Sequence, residues 1–110
     1  MKTEKRKINA NLLWNNVEYL AKVNDSNLSD LARRYYKLND NDSTDVNIFY
    51  LCKNRGTTPS LERVIDIATI LGVSIEDLLF TDFAKIDDDI KELEEMLAEL
   101  KAKKGGLKRG

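Results

Sequence analysis

Thr44, Asn47, Tyr50, Asn54, Arg55 and Thr57 bring hydroxyl, carboxamide and guanidinium groups into one short segment. Carboxamides bond base edges bidentately, while hydroxyls and guanidinium groups bind phosphate oxygens, so a nucleic acid suits such a set. Arg33, Arg34 and Lys37 make a second cationic cluster. Lys2, Lys5, Arg6 and Lys7 make a third, a basic arm of the kind that enters a minor groove. Each group also has a plainer reading. Asn47 and Asn54 suit a solvated helix surface, Tyr50 a core or an interface, and the arm a solubilising tail. Asp45 repels phosphate and reads as a capping charge.

Other chemistries are excluded by what is missing. The 110 residues include no histidine and one cysteine, Cys52. Imidazole acid–base catalysis, Ser/His or Cys/His nucleophiles and most zinc sites are therefore ruled out. Cys52 has no intrachain partner and reads as a small buried hydrophobe. With 5 glycines and 1 proline, the sequence contains no phosphate-cradling loop motif. The run Asp40-Asn41-Asp42 resembles the start of a calcium loop, but Asp45 and Leu51 stand where glycine and glutamate are required. No enzyme, cofactor or metal is expected.

The net charge of −1 conceals a polarised chain. Residues 1–7 are net +3, residues 8–80 net −3, residues 81–100 net −6 and residues 101–110 net +5. Basic ends around an acidic middle suit a nucleic acid met by arms or patches, and equally suit solubility and helix-end charge matching. Residues 1–7 lack the apolar run of an export signal. No stretch approaches the roughly 18 apolar residues of a membrane span. With a free cysteine, a cytoplasmic setting and no membrane are the expectation.

The elements that must position these groups read as helices, giving an all-α chain. Over residues 9–23, Leu13, Val17, Leu20 and Ala21 form an apolar stripe that Trp14 seals. Asn27 and Asp30 have capping-box spacing before Leu28, Leu31, Ala32 and Tyr35, a second helix ending near Tyr36. After a polar loop, residues 44–53 read as a third helix capped by Ser43, with a strand as the alternative. Ile48, Leu51 and Cys52 are its expected core face, leaving Asn47, Tyr50 and Asn54 outward. Thr58 caps a fourth helix with Pro59 at its first position, a stripe of Leu61, Val64, Ile65, Ala68 and Leu71, and Gly72 as terminator. Ser74 and Asp77 open a short fifth helix through Ile75, Leu78 and Leu79.

The last helix differs in kind. Ile86, Ile90, Leu93, Leu97 and Leu100 are spaced 4, 3, 4, 3, a heptad seam. Asp87, Asp88 and Asp89 read as its first turn, Lys101, Lys103 and Lys104 as its last, and Gly105-Gly106 as its stop. Two heptads are short for a free-standing coiled coil, so the seam must pack on its own domain or on another subunit. A homodimer is expected through this helix. The domain plan is a basic arm over 1–7, a helical domain over 8–80, a dimerisation helix over 81–104 and a basic tail over 105–110.

The stretch 59–79 follows the pattern "PSLxxLxxIAxxLGVSxxxLL", with Val64 at the second Leu position and Pro59, Gly72 and Ser74 as its punctuation. In this it resembles the lambda-repressor/Cro-like (XRE) helix-turn-helix regulators. Leu31-Ala32 resembles that family's helix two, residues 11–20 its first helix, and the likeness covers about residues 8–80. The resemblance implies a five-helix DNA-binding domain whose third helix enters the major groove of an operator as part of a dimer. Thr44, Asn47, Tyr50 and Asn54 then face the groove, while Arg55, Thr57 and the cationic clusters meet phosphates. The sequence departs from the pattern in three places. Leu28 stands where the family usually has a polar residue, often Gln. A loop longer by about half a dozen residues precedes the third helix, and Cys52-Lys53-Asn54-Arg55-Gly56 replaces its usual "WExG" closure. Two functions follow: a small homodimeric repressor of phage or mobile-element type, or a protein-interaction module on the same fold, such as an antirepressor, antitoxin or adaptor.

Overall fold

The computed structural model describes residues 7–107, which form six α-helices and, among the described residues, no strand. Helix α1 (Ala10–Val23) starts where Asn9 accepts the Asn11 and Leu12 N–H groups, and it buries Leu13, Trp14, Val17, Leu20 and Ala21 as its stripe requires. Helix α2 (Leu28–Leu38) starts on Asn27, whose side chain accepts the Asp30 N–H. It ends two residues beyond the expected Tyr36. Tyr36 joins Leu28, Leu31 and Ala32 in the core, and Tyr35 is half-buried against it.

Helix α3 is shorter than its apolar run and turned differently from expectation. It spans Ile48–Asn54, not 44–53, and Ser43 does not cap it. The cause lies in three consecutive side-chain-to-backbone bonds. Ser43 N–H donates to Asn41, Asp45 N–H to Ser43 and Asn47 N–H to Asp45, at 2.9, 3.2 and 3.0 Å. Such bonds offer the backbone an alternative to helical pairing. In a helix beginning at Ile48, Phe49 is the fully buried residue, while Leu51 is 50% exposed and Cys52 only half-buried. Phe49 packs edge-on to Tyr35 (centroids 5.4 Å apart) and tilted to Trp14 (6.1 Å), aromatic geometry that holds α3 to α1 and α2.

Helix α4 (Leu61–Leu71) is capped by Ser60, which accepts the Arg63 N–H. Thr58 is therefore not the cap, and Pro59 is a buried residue just outside the helix. The buried stripe is Val64, Ile67 and Ala68; Leu61 and Ile65, expected in the core, are 68% and 41% exposed. Gly72 ends α4 in the left-handed conformation, φ 73°. Helix α5 (Ile75–Phe80) opens with Ser74 accepting the Asp77 N–H at 3.0 Å and buries Leu78 and Leu79.

Helix α6 (Phe83–Leu107) starts a turn earlier than the acidic run, so Asp87, Asp88 and Asp89 do not form its first turn. Asp82 instead accepts the Lys85 N–H at 3.1 Å, and Phe83 packs on the core. The helix also continues through Gly105-Gly106. Glycine permits a left-handed stop without compelling one, and neither residue takes a positive φ. Beyond its first two turns α6 is exposed along its length. The radius of gyration, 19.5 Å, compares with about 13 Å for a compact chain of this size, as a projecting helix requires.

Candidate nucleic-acid interface

Phe49 and the bonds of residues 41–47 together decide what α3 presents. With Phe49 inward, Asn47 sits at the N-terminal end, exposed and without a capping hydrogen bond from its side chain. Asn54 and Arg55 are exposed at the other end. Tyr50 does not point freely outward. It is half-buried in a groove shared with Glu18, Lys22, Ser26, Asn27, Leu28 and Lys53. Lys53 is ion-paired with Glu18 across that groove, which ties α3 to α1 and offsets a cation next to Asn54.

The turn after α3 is held from inside. Trp14 Nε1 donates to the Thr57 carbonyl at 2.9 Å, and the Thr57 hydroxyl donates to the Cys52 carbonyl at 3.3 Å. Thr57, expected at a phosphate, thus has its hydroxyl proton committed within the fold. Gly56 makes the turn in the left-handed region, φ 65°, next to Arg55.

The cationic cluster of α2 is divided by helical geometry. Arg33 and Lys37, four residues apart, share a face and line an open groove of about 540 Å³ with Thr44, Asp40, Asp42 and Val46. Thr44 lies in the extended segment before α3 rather than on the helix. Arg33 also pairs with Asp30 at 2.7 Å, both side chains being largely solvated. Arg34 faces another side, lining a groove with Asn24, Ile70, Leu71 and Gly72. Lys7 lies beside α5, near Glu76 and Asp77. Lys5 and Arg6, like Lys2, fall outside the described residues.

The chain was compared with protein-family models, curated proteins and solved structures. It matches none of them. Any functional reading therefore rests on the side chains themselves. Arg33, Lys37, Thr44 and Asn47 border one continuous piece of chain, the end of α2, the loop and the start of α3. Asp40, Asp42 and Asp45 lie in the same loop and lower the positive potential there. No group of three metal-ligating side chains exists among the described residues.

Sequence reasoning passed over three residues that do structural work. Asn16, 1% exposed, donates to the Leu78 and Thr81 carbonyls at 2.9 and 2.5 Å and accepts the Phe83 N–H at 3.3 Å. Its position three residues after Leu13, on the buried side of α1, was the available signal. Glu18 had none, because its partner, the Lys53 ammonium, comes from a distant helix; Asp82 carried a local signal, an acceptor side chain three residues before the N–H it caps. No described helix is long and apolar enough to cross a membrane.

Proposed function

We propose that the chain is a sequence-specific, double-stranded DNA-binding regulator, a small repressor that works as a homodimer through α6 in the manner of lambda-repressor/Cro-like (XRE) proteins. The observation that carries this reading is Asn47. Its carboxamide is exposed at the N-terminal end of a helix anchored in the core by Phe49, where recognition helices present their base-reading side chains. Asn54 and Arg55 extend the polar edge, and Arg33 and Lys37 supply phosphate anchors across the loop groove.

A second reading is favoured by Leu51 on α3 and Leu61 at the start of α4, 50% and 68% exposed. Exposed apolar side chains, with Asp40, Asp42 and Asp45 in the loop before α3, suit a protein partner better than a phosphate backbone. Such a module would be an antirepressor, antitoxin or adaptor.

Fluorescence anisotropy over a salt series, with DNA from upstream of the chain's own gene and with scrambled DNA, separates the two. The first reading requires salt-sensitive binding that prefers the native sequence. A folded protein that binds neither DNA at low salt rejects it.

A further inference from the structure

We infer that α6 pairs with α6 of a second copy of this chain in antiparallel orientation, with Asp89 facing the partner's Lys103. The inference rests on the reading of α6 as the dimerisation helix and is independent of DNA binding.

The first observation is where the seam points. Ala84 and Asp88 of α6 face α1, lining a groove with Asn15, Tyr19 and Lys22, and Asp87 engages Tyr19. At about 100° per residue, the centre of the heptad seam lies roughly 150° around the helix from that face. Ile86, Ile90, Leu93, Leu97 and Leu100 are accordingly 47%, 47%, 63%, 52% and 60% exposed. Phe83, the seam position before Ile86, packs on the domain's own core, and from Ile86 onward the seam is left uncovered, open to a second helix.

The second observation is the charge beside the seam. The flanking positions carry Asp87, Asp89 and Glu94 in the N-terminal half and Lys101 and Lys103 in the C-terminal half. In a parallel, in-register pair, Asp89 faces the partner's Glu94 and Asp82 the partner's Asp87, and no opposite charges meet. Reversing one helix sets Ile90 against the partner's Leu100 and Leu93 against the partner's Leu97. Ile86 then lies along the aliphatic stem of the partner's Lys104. On the flanks Asp87 meets the partner's Lys101 and Asp89 the partner's Lys103, each pair occurring twice by symmetry. Met96 meets its own copy, and Glu94 facing Glu94 is the single like-charge contact. Charge complementarity therefore selects the antiparallel pair. It sets the two domains at opposite ends, with the two Phe83 residues about 36 Å apart along the helix axis.

Sedimentation equilibrium of the full chain at low and moderate salt tests this, with circular dichroism confirming equal helix content in each variant. Asp89→Lys places like charges at both ends, so dimerisation should weaken about ten-fold, and the wild-type dimer should weaken with salt. Adding Lys103→Asp to that variant should bring the affinity back to within about three-fold of wild type. A parallel pair predicts the reverse, because Asp89→Lys would relieve the repulsion from Glu94; tighter or unchanged dimerisation overturns the orientation. A wild-type chain that stays monomeric overturns the dimer itself and leaves DNA binding by the α3 edge to be judged on its own measurement.

Discussion

The Asn16 carboxamide oxygen accepts the Phe83 backbone N–H at 3.3 Å, joining the middle of α1 to the first residue of α6. The same side chain donates to the Leu78 and Thr81 carbonyls, so one buried amide closes the end of α5 and sets where α6 departs. Every polar atom of Asn16 is used, which is what makes burial of a carboxamide tolerable.

Asn16→Ala should therefore destabilise the domain by about 2–3 kcal/mol, since two carbonyls and an N–H lose their partner, the Leu78 carbonyl in a buried site. Urea unfolding followed by circular dichroism measures this. Asn16→Asp adds a sign test. A carboxylate would face two carbonyl oxygens, so the folded state favours its protonated form. Stability of that variant should be greatest in acid and should fall as the pH rises through the titration of the carboxyl, whereas Asn16→Ala should show no such added slope.

Gly72 makes a second stability prediction. A Cβ built there meets nothing within 4 Å, so its φ of 73° is the only obstacle to a larger residue. Gly72→Ala should cost about 1–2 kcal/mol, the left-handed penalty of an L-residue. Thermal melting is expected to fall by several degrees with the fold intact; an unchanged midpoint would mean that α4 ends in another way.

If α3 reads bases, Asn47→Ala and Asn54→Ala should each lower affinity for the specific site by about 1–3 kcal/mol and leave scrambled DNA nearly unaffected. Lys37→Ala and Arg55→Ala should weaken both DNAs alike and reduce the salt slope by about one unit each. Equal losses on both DNAs for the asparagine variants would remove them as base readers.

Tyr19 reports on the seat of α6. Its hydroxyl is held above the ordinary tyrosine range by partial desolvation, with the hydrogen bond to Asp87 second. Lys91, bonded to Asp87 at 3.3 Å, is raised as well, chiefly by that bond. A group whose pKa is higher in the folded state stabilises it below the unfolded value and ceases to do so as pH climbs past the folded one. Ultraviolet titration should show Tyr19 ionising later than a free tyrosine, and Asp87→Asn should shift it down part of the way. An unchanged titration in that variant would remove Asp87 as a partner of Tyr19.

The number and order of helices in the domain were legible in the chain because each rests on local physics. Asn27 and Ser74 sit next to N–H groups that need an acceptor, and the stripe of Leu13, Val17, Leu20 and Ala21 repeats at helical period. The exposed seam of α6 follows from the same periodicity. Its occupant is not visible in one chain, because nothing in a heptad pattern says which surface covers it.

What needed the tertiary structure was the orientation of α3 and the grouping of the cations. A seven-residue helix has too few turns for a stripe to declare itself, so Ile48, Leu51 and Cys52 were read as the core face and Phe49 was passed over. The aromatic pocket between Trp14 and Tyr35 chose Phe49 and turned Leu51 to solvent. Arg33 and Arg34 are neighbours in sequence yet line different grooves, since adjacent residues on a helix diverge by about 100°. Asn16 is the extreme case: its three partners lie more than sixty residues away, and only packing of α1 against the α5–α6 junction brings them within bonding distance.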